Sequence, residues 1–320
     1  METDTGRLDK GTARGGGVMQ NHTVAAVRLL GGIATAMMLA WGNMATNVFL
    51  FPAAAEEMAS SGGVEPAIEE LRKGKAFLQT PVYSEEEDAK ILKLFEGLRV
   101  ADICDAMDQV GLHNVGLMSP EIHPAWKDPV ELRHRFVGIA VTVRYVPSNL
   151  PATGPLSPEQ FDKWMGNWYQ NLSPEPFVPL IRPGTVVVID DADRADVGTI
   201  GSNNILSWKK RGCVAVVTDA TARDLDEIAL EKVPLYLRRP GRGVRPGRNL
   251  VESVNRPVEV GGVLVRPGDV VAGDGDGVIV VPREFAEQVA FYARKTLETD
   301  KVQRRRHYES LGIPEDISVK

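Results

Sequence analysis

Two groups of residues fall where a fold could put them to chemical use. Arg223-Asp224 follows the apolar strand Cys213–Val217, which stops at Thr218-Asp219-Ala220-Thr221-Ala222. The pair therefore lies just past the C-terminal end of a strand, the edge at which open α/β sheets hold ligands. Gly201-Ser202-Asn203-Asn204 opens a helical stretch ending at Gly212. The first turn of a helix has backbone N–H groups with no intrahelical acceptor, and these can hold a carboxylate or phosphate. An Arg next to an Asp is also what an ordinary surface ion pair looks like, contributing less than about 1 kcal/mol. Spacing alone leaves both readings open.

Other candidates carry less. Asp190, Asp191, Asp193 and Asp196 read as an acidic loop after the strand Thr185–Ile189, and carboxylates commonly decorate loops for solvation. Asp274-Gly275-Asp276-Gly277 lacks the bidentate Glu of a calcium loop and has strands on both sides, so it reads as a turn. His113, His123 and His134 show no metal-ligand spacing, and Cys104 reads as a small buried hydrophobe.

The elements that must position the pair are legible from periodicity. Ser84-Glu85-Glu86-Glu87 is a capping box, followed by Ile91, Leu94, Phe95 and Leu98 at helical spacing. A second helix runs through Val100, Ile103, Met107 and Val110 to a stop at Gly111. Residues 136–146 are rich in β-branched residues and predict a strand. Residues 147–180 are an insertion rich in Pro and Trp, with a short helix at Phe161–Gln170. Its Trp164, Trp168 and Tyr169 either cover a site or pack the excursion on itself. Helices at 201–210 and 224–232 alternate with strands at 213–217 and 234–237, the rhythm of an α/β core. A hairpin is expected at 258–265 around Gly261-Gly262, with strands at 270–272 and 278–281 and a closing helix at 284–306.

The chain of 320 residues carries a net charge of −6 and only 6% aromatic residues, which argues against a nucleic-acid partner. Its two cysteines cannot form a disulfide framework. Residues 29–55 carry no charge, are preceded by basic residues and end in Ala53-Ala54-Ala55 before Glu56. This is the pattern of a secretory signal, with a retained membrane anchor or a buried helix as the alternatives. The expected organisation is a signal peptide or anchor at 1–55, a lead-in at 56–83, one domain at 84–306 and a tail at 307–320. The protein is then exported, periplasmic or secreted, and meets a membrane only through an uncleaved leader.

Taken together, Gly201-Ser202-Asn203-Asn204, Gly212 and Arg223-Asp224-x-x-Glu227 resemble the signature of the RraA-like family. That family includes 4-hydroxy-4-methyl-2-oxoglutarate aldolases and the regulator of ribonuclease activity A. The segments Pro267–Val271, Asp274–Pro282 and Val100–Met107 resemble it as well, and the likeness covers roughly residues 95–290 with 147–180 as an addition. The resemblance implies a layered α/β domain of the swivelling β/β/α type, with a mixed sheet, assembled as homotrimers or hexamers. It implies a lyase acting on short 2-oxo acids with Mg²⁺ or Mn²⁺, by retro-aldol cleavage or oxaloacetate decarboxylation. Asp224 would hold the metal, largely through water. Arg223 would hold the substrate and stabilise a pyruvate enolate. Gly201, Ser202, Asn203 and Asn204 would cradle a carboxylate, and Glu227 would orient metal-bound water.

Three departures bear on that expectation. Ser202 is neutral where many members carry an acid, and Ala220-Thr221 replaces a stretch that usually contains glycine. The Arg-rich segment 238–249 either reads additional carboxylates or forms a subunit contact or solvated loop. The rival reading is a non-catalytic regulatory or binding protein, which a location outside the cytoplasm disfavours. A methyltransferase reading lacks a Gly-rich nucleotide loop.

Overall fold

A computed structural model describes residues 68–74, 77–191 and 196–320. The leader at 1–55 and Asp193 lie outside the described residues, as does half of the lead-in. The described residues belong to the compact unit Pro66–Lys320.

The chain enters through α1 (Ile68–Arg72), α2 (Glu85–Phe95) and α3 (Val100–Gln109). The capping box at α2 forms as its sequence requires. The Glu87 amide donates to Ser84 Oγ at 3.2 Å, and the Ser84 amide donates to Glu87 Oε2 at 2.7 Å. After β1 (His123–Pro124) comes β2 (Phe136–Pro147), and then the insertion with α4 (Pro158–Asn167), a π-turn at Trp168–Leu172 and a 3₁₀ turn at Val178–Leu180. The α/β core follows as β3 (Thr185–Asp191), α5 (Ser202–Lys209), β4 (Cys213–Thr218), β5 (Thr221–Ala222), α6 (Leu225–Leu230) and β6 (Leu235–Leu237). The last third contains β7 (Arg239–Pro240), β8 (Asn249–Val254), the hairpin β9 (Val258–Val260) and β10 (Val263–Val265), β11 (Val270–Asp274), β12 (Gly277–Val281) and α7 (Ala286–Leu311).

The main sheet is mixed and nearly closed, in the order β1-β6-β4-β3-β2-β11-β12. Strands β2, β3, β4 and β6 are parallel neighbours, and β11 and β12 continue the sheet antiparallel. The long strand β2 shares one of its edges between two partners. Phe136–Ile139 pair with β11, and Val143–Pro147 pair with β8. Insertion and Arg-rich segment are thereby joined to the sheet at the same place.

Because the sheet is covered on both faces, its strands are continuous apolar runs rather than alternating ones. In β3, Val186 and Val188 face the curled interior with the β9–β10 hairpin residues Val258, Val260, Val263 and Val265. Val187 and Ile189 point the other way, toward Ile205 and Trp208 of α5 and Ile228 of α6. A separate apolar layer joins α2, α3 and α7 to Val270, Ala272, Ile279 and Val281. These are the hairpin, sheet and helix layers of the expected β/β/α arrangement. Among the described residues no helix is long and apolar enough to cross a membrane.

Two details correct the sequence reading. Strand β3 continues through Asp190 and Asp191, both buried, so these are not loop carboxylates open to solvent. The closing helix runs on to Leu311, beyond the expected end at residue 306.

Buried carboxyls leave a signature in stability. Burial pushes Asp190 up to about 6, against the pull of Arg144 at 3.5 Å, and burial likewise pushes Asp269 up to about 6. A raised carboxyl keeps its proton in the folded chain while the unfolded chain releases it near pH 4. Its contribution is therefore full below that pH and is lost as pH rises toward 6. Asp190→Asn should accordingly raise the melting temperature relative to wild type more at pH 8 than at pH 5. Thermal melts at both values check this; an equal gap at the two values would refute it.

Candidate active site

The strand β4 ends at Thr218, and β5 carries the chain to Arg223-Asp224 at the mouth of α6. Asp224 takes a left-handed backbone conformation, φ +59°, as the residue before α6. Such a conformation is uncommon for a non-glycine residue and turns the carboxylate back toward α5. Its Oδ2 accepts the Ser202 amide at 3.1 Å, in the first turn of α5. Its Oδ1 lies 3.8 Å from Arg223 Nε. The side chains of Arg223 and Asp224 remain 39% and 35% exposed, so solvent and solutes reach both.

Glycines make this approach possible through lack of volume. A Cβ on Gly201 would sit 2.4 Å from Asp224 Oδ2. One on Gly198 would meet the Arg223 side chain at 2.8 to 3.0 Å. The Arg223 amide donates to Ile200 O at 3.0 Å, fastening the pair to the same loop. That loop is held from beneath. Thr221 Oγ1 donates to Val197 O, and the Gly198 amide donates to Gly243 O at 2.8 Å. Thr221 thus anchors the loop through its hydroxyl.

The remaining sequence candidates distribute as follows. The Ser202 amide is engaged by Asp224, so the helix mouth presents the carboxylate itself rather than an empty anion seat. Asn203 is exposed. The Asn204 side chain is turned inward, with Nδ2 donating to Glu175 Oε1 at 2.6 Å. Glu227 is exposed on α6, one turn beyond Asp224, with its carbonyl accepting the Glu231 amide at 2.9 Å. His134 is buried, with Nδ1 accepting the Asp128 amide at 3.1 Å, and His113 pairs with Asp108 at the surface. Cys104 is half-buried, and burial pushes its thiol up, away from nucleophilic use.

No residue pattern marks the buried polar network that lies behind α5. Glu175, from the insertion, accepts from Arg245 Nη2 at 3.0 Å, from Asn204 and from Trp208 Nε1 at 3.0 Å. Arg245 is 2% exposed and donates through Nη1 to the Tyr145 hydroxyl at 2.6 Å. Nearby, Asp191 accepts from Thr199 Oγ1 and from Asn249 Nδ2, the latter at 3.0 Å. Of the Arg-rich segment, Arg242 pairs with Asp196, Arg238 with Glu121 and Arg245 with Glu175. Arg248 donates to the carbonyls of Val244 and Pro246. The segment is thus largely neutralised within the chain.

A family model described as RraA-like, Aldolase/RraA, matches residues 100–280, and this chain belongs to the RraA-like family. A Halalkalibacterium halodurans protein named "Putative 4-hydroxy-4-methyl-2-oxoglutarate aldolase" is 33% identical over 128 residues, 38% of this chain and 58% of that protein. Protein DlpA of Legionella pneumophila is 24% identical over 59% of this chain and 27% of its own length. The chain therefore spans little more than half, or less, of these relatives. A solved structure of an uncharacterized protein from Pseudomonas syringae pv. tomato superposes with a TM-score of 0.55 at 25% identity, over 73% of this chain and 96% of that one. Streptomyces coelicolor RraAS2, described as an unusual member of the RNase ES inhibitor RraA family, shares the fold with a TM-score of 0.54 at 20% identity, over 70% of this chain and 99% of its own.

Proposed function

We propose that this chain is a divalent-metal-dependent lyase that breaks a C–C bond in short 2-oxo acids at Arg223 and Asp224. The candidate reactions are retro-aldol cleavage of 4-hydroxy-4-methyl-2-oxoglutarate and decarboxylation of oxaloacetate. The observation that supports it is the state of the Asp224 carboxylate. One oxygen is fixed by the Ser202 amide and the other faces an accessible guanidinium. The names of the aldolase relatives support the same reading.

The residues fit Mg²⁺ or Mn²⁺. Among the described residues no group of three or more His, Cys, Asp or Glu could hold a metal. A single accessible carboxylate completed by water suits an ion that dehydrates reluctantly. Asp224 would hold it, and when bound it supplies Lewis acidity toward the 2-oxo oxygen. Arg223 binds and orients the oxo acid. As the C3–C4 bond breaks, its electron pair moves toward the oxo oxygen, where the guanidinium provides fixed positive charge; in the 4-hydroxy acid the C4 hydroxyl gives up its proton to solvent as it becomes the carbonyl of the second product. Protonation at C3 completes pyruvate. The 4-hydroxy acid then gives two pyruvates, and oxaloacetate gives pyruvate and carbon dioxide. In this reading the protein is exported by its leader and works as a homo-oligomer.

Pyruvate release from both substrates by the full chain tests the proposal, with Mg²⁺ or Mn²⁺ and again after EDTA. Release is expected above that of the metal ion alone, lost with EDTA and restored by metal. Release no greater than with the ion alone would remove the proposal.

A further inference from the structure

Between the irregular segment 77–83 and the starts of β2 and β3 lies a cavity of about 470 Å³. Ile139 of β2 is in register with Thr185, the first residue of β3, and both line it. The cavity is therefore at the N-terminal end of the parallel strands, whereas Arg223 and Asp224 lie past the C-terminal end. The seven residues of β3, at about 3.3 Å each, put about 20 Å of sheet between the two places.

Three cations line this cavity, Lys73, Arg182 and Arg256, and all keep donors to spare. Lys73 and Arg256 make no ion pair among the described residues. The Arg256 guanidinium lies over the Phe77 ring at 5.0 Å, where Gly74 leaves it room: an added Cβ there would meet Arg256 Nη1 at 3.4 Å. A guanidinium held by its face keeps the N–H groups in its plane for other partners. Arg182 uses only Nη2, which donates to Tyr83 O at 2.8 Å and to Asp88. Its Nε and Nη1 have no partner among the described residues, and its side chain is 30% exposed, so a solute can reach them. The carboxylates at hand leave this charge in excess. Asp88 is shared by two guanidinium groups, with Arg182 on one oxygen and Arg283 on the other, and Glu85 stands exposed on the first turn of α2.

We infer that this cavity binds a linear dicarboxylate, at a place separate from the reacting pair. Lys73 and Arg256 are at the start of the segment 77–83 and Arg182 is bonded to its end, so each end of such a ligand finds a cation. Guanidinium–carboxylate pairs of this kind are charge-assisted and directional. The wall between is apolar, with Leu78 on the segment, Ile139 on β2 and Leu180 and Ile181 ahead of β3. It suits methylene carbon. A compact anion such as phosphate engages one end and leaves that wall unfilled. The volume is that of a small-molecule site.

Calorimetric titrations of the full chain in EDTA, which silences any metal-dependent binding at Asp224, test the inference with adipate, hexanoate and inorganic phosphate. Adipate should bind about tenfold more tightly than hexanoate, which lacks the second carboxylate, and more tightly than phosphate. Arg256→Ala should reduce adipate to the level of hexanoate. Its backbone carbonyl still accepts Thr142 Oγ1, so the variant should melt close to wild type. Lys73→Ala, which leaves the Phe77 contact intact, should weaken adipate several-fold, and Arg223→Ala should leave it unchanged. Adipate no tighter than hexanoate or phosphate, or adipate binding lost in Arg223→Ala and kept in Arg256→Ala, overturns the inference. Pyruvate release is measured separately with metal, so neither result bears on the proposal for Arg223 and Asp224.

Discussion

Arg223→Ala should lower kcat for pyruvate release by about 10²- to 10³-fold, the usual cost of removing one fixed donor from a developing oxyanion. The guanidinium is anchored by its backbone to Ile200, and its side chain carries no packing role in the core. The variant should therefore fold and melt close to wild type, which separates chemistry from stability. Arg223→Lys keeps the charge without the planar fork and should recover only part of the rate. Asp224→Asn retains an oxygen able to accept the Ser202 amide while removing the negative charge. Its loss should appear as weakened dependence on Mg²⁺ rather than as unfolding. Steady-state kinetics with kcat and KM resolved at several metal concentrations check all three. Unchanged kcat in Arg223→Ala would exclude this pair as the reacting centre.

The largest effect on stability is expected at Asp88. This carboxylate is 3% exposed and lies between two guanidinium groups, Arg182 and Arg283, the second at 2.9 Å. Arg283 also stacks on Tyr83 at 4.4 Å and donates its amide to Asp269 at 3.0 Å. Asp88 thus ties α2 to the approach of β3 and to the start of α7. Asp88→Ala leaves a buried cation uncompensated, which costs about 3 kcal/mol or more. In a domain of this size that lowers Tm by roughly 10 °C. Calorimetry at pH 7 checks it, and a fall of only a degree or two would show that solvent screens the triad.

The architecture was readable wherever a local rule coincided with the long-range one. Ser84 and Glu87 specify a helix start within four residues, and the valines of β3, β11 and β12 announce strands buried on both faces. The location of Arg223-Asp224 past a strand end was equally legible, because it follows from element order. What stayed hidden depends on contacts between distant segments. Asp190 and Asp191 look like loop residues because their partners, Thr199, Asn249 and Arg144, are brought to them only by folding. The Arg-rich segment looks like a receptor for anions until Glu175, Asp196 and Glu121 arrive to neutralise it. Glu175 carried no signal at all. Nothing in Ser173-Pro174-Glu175-Pro176 marks a carboxylate destined for three buried donors.

The insertion leaves the sheet at the end of β2 and returns at β3, as the crossover between parallel neighbours, while Arg223 and Asp224 are carried from β4. The buried acceptor Glu175 and the Arg223–Asp224 pair are thus mounted on separate parts of the scaffold. A transplanted crossover would leave the Arg223–Asp224 pair on its own elements. It would have to bring its own acceptor for Trp208 and Arg245, since Glu175 travels with the piece removed.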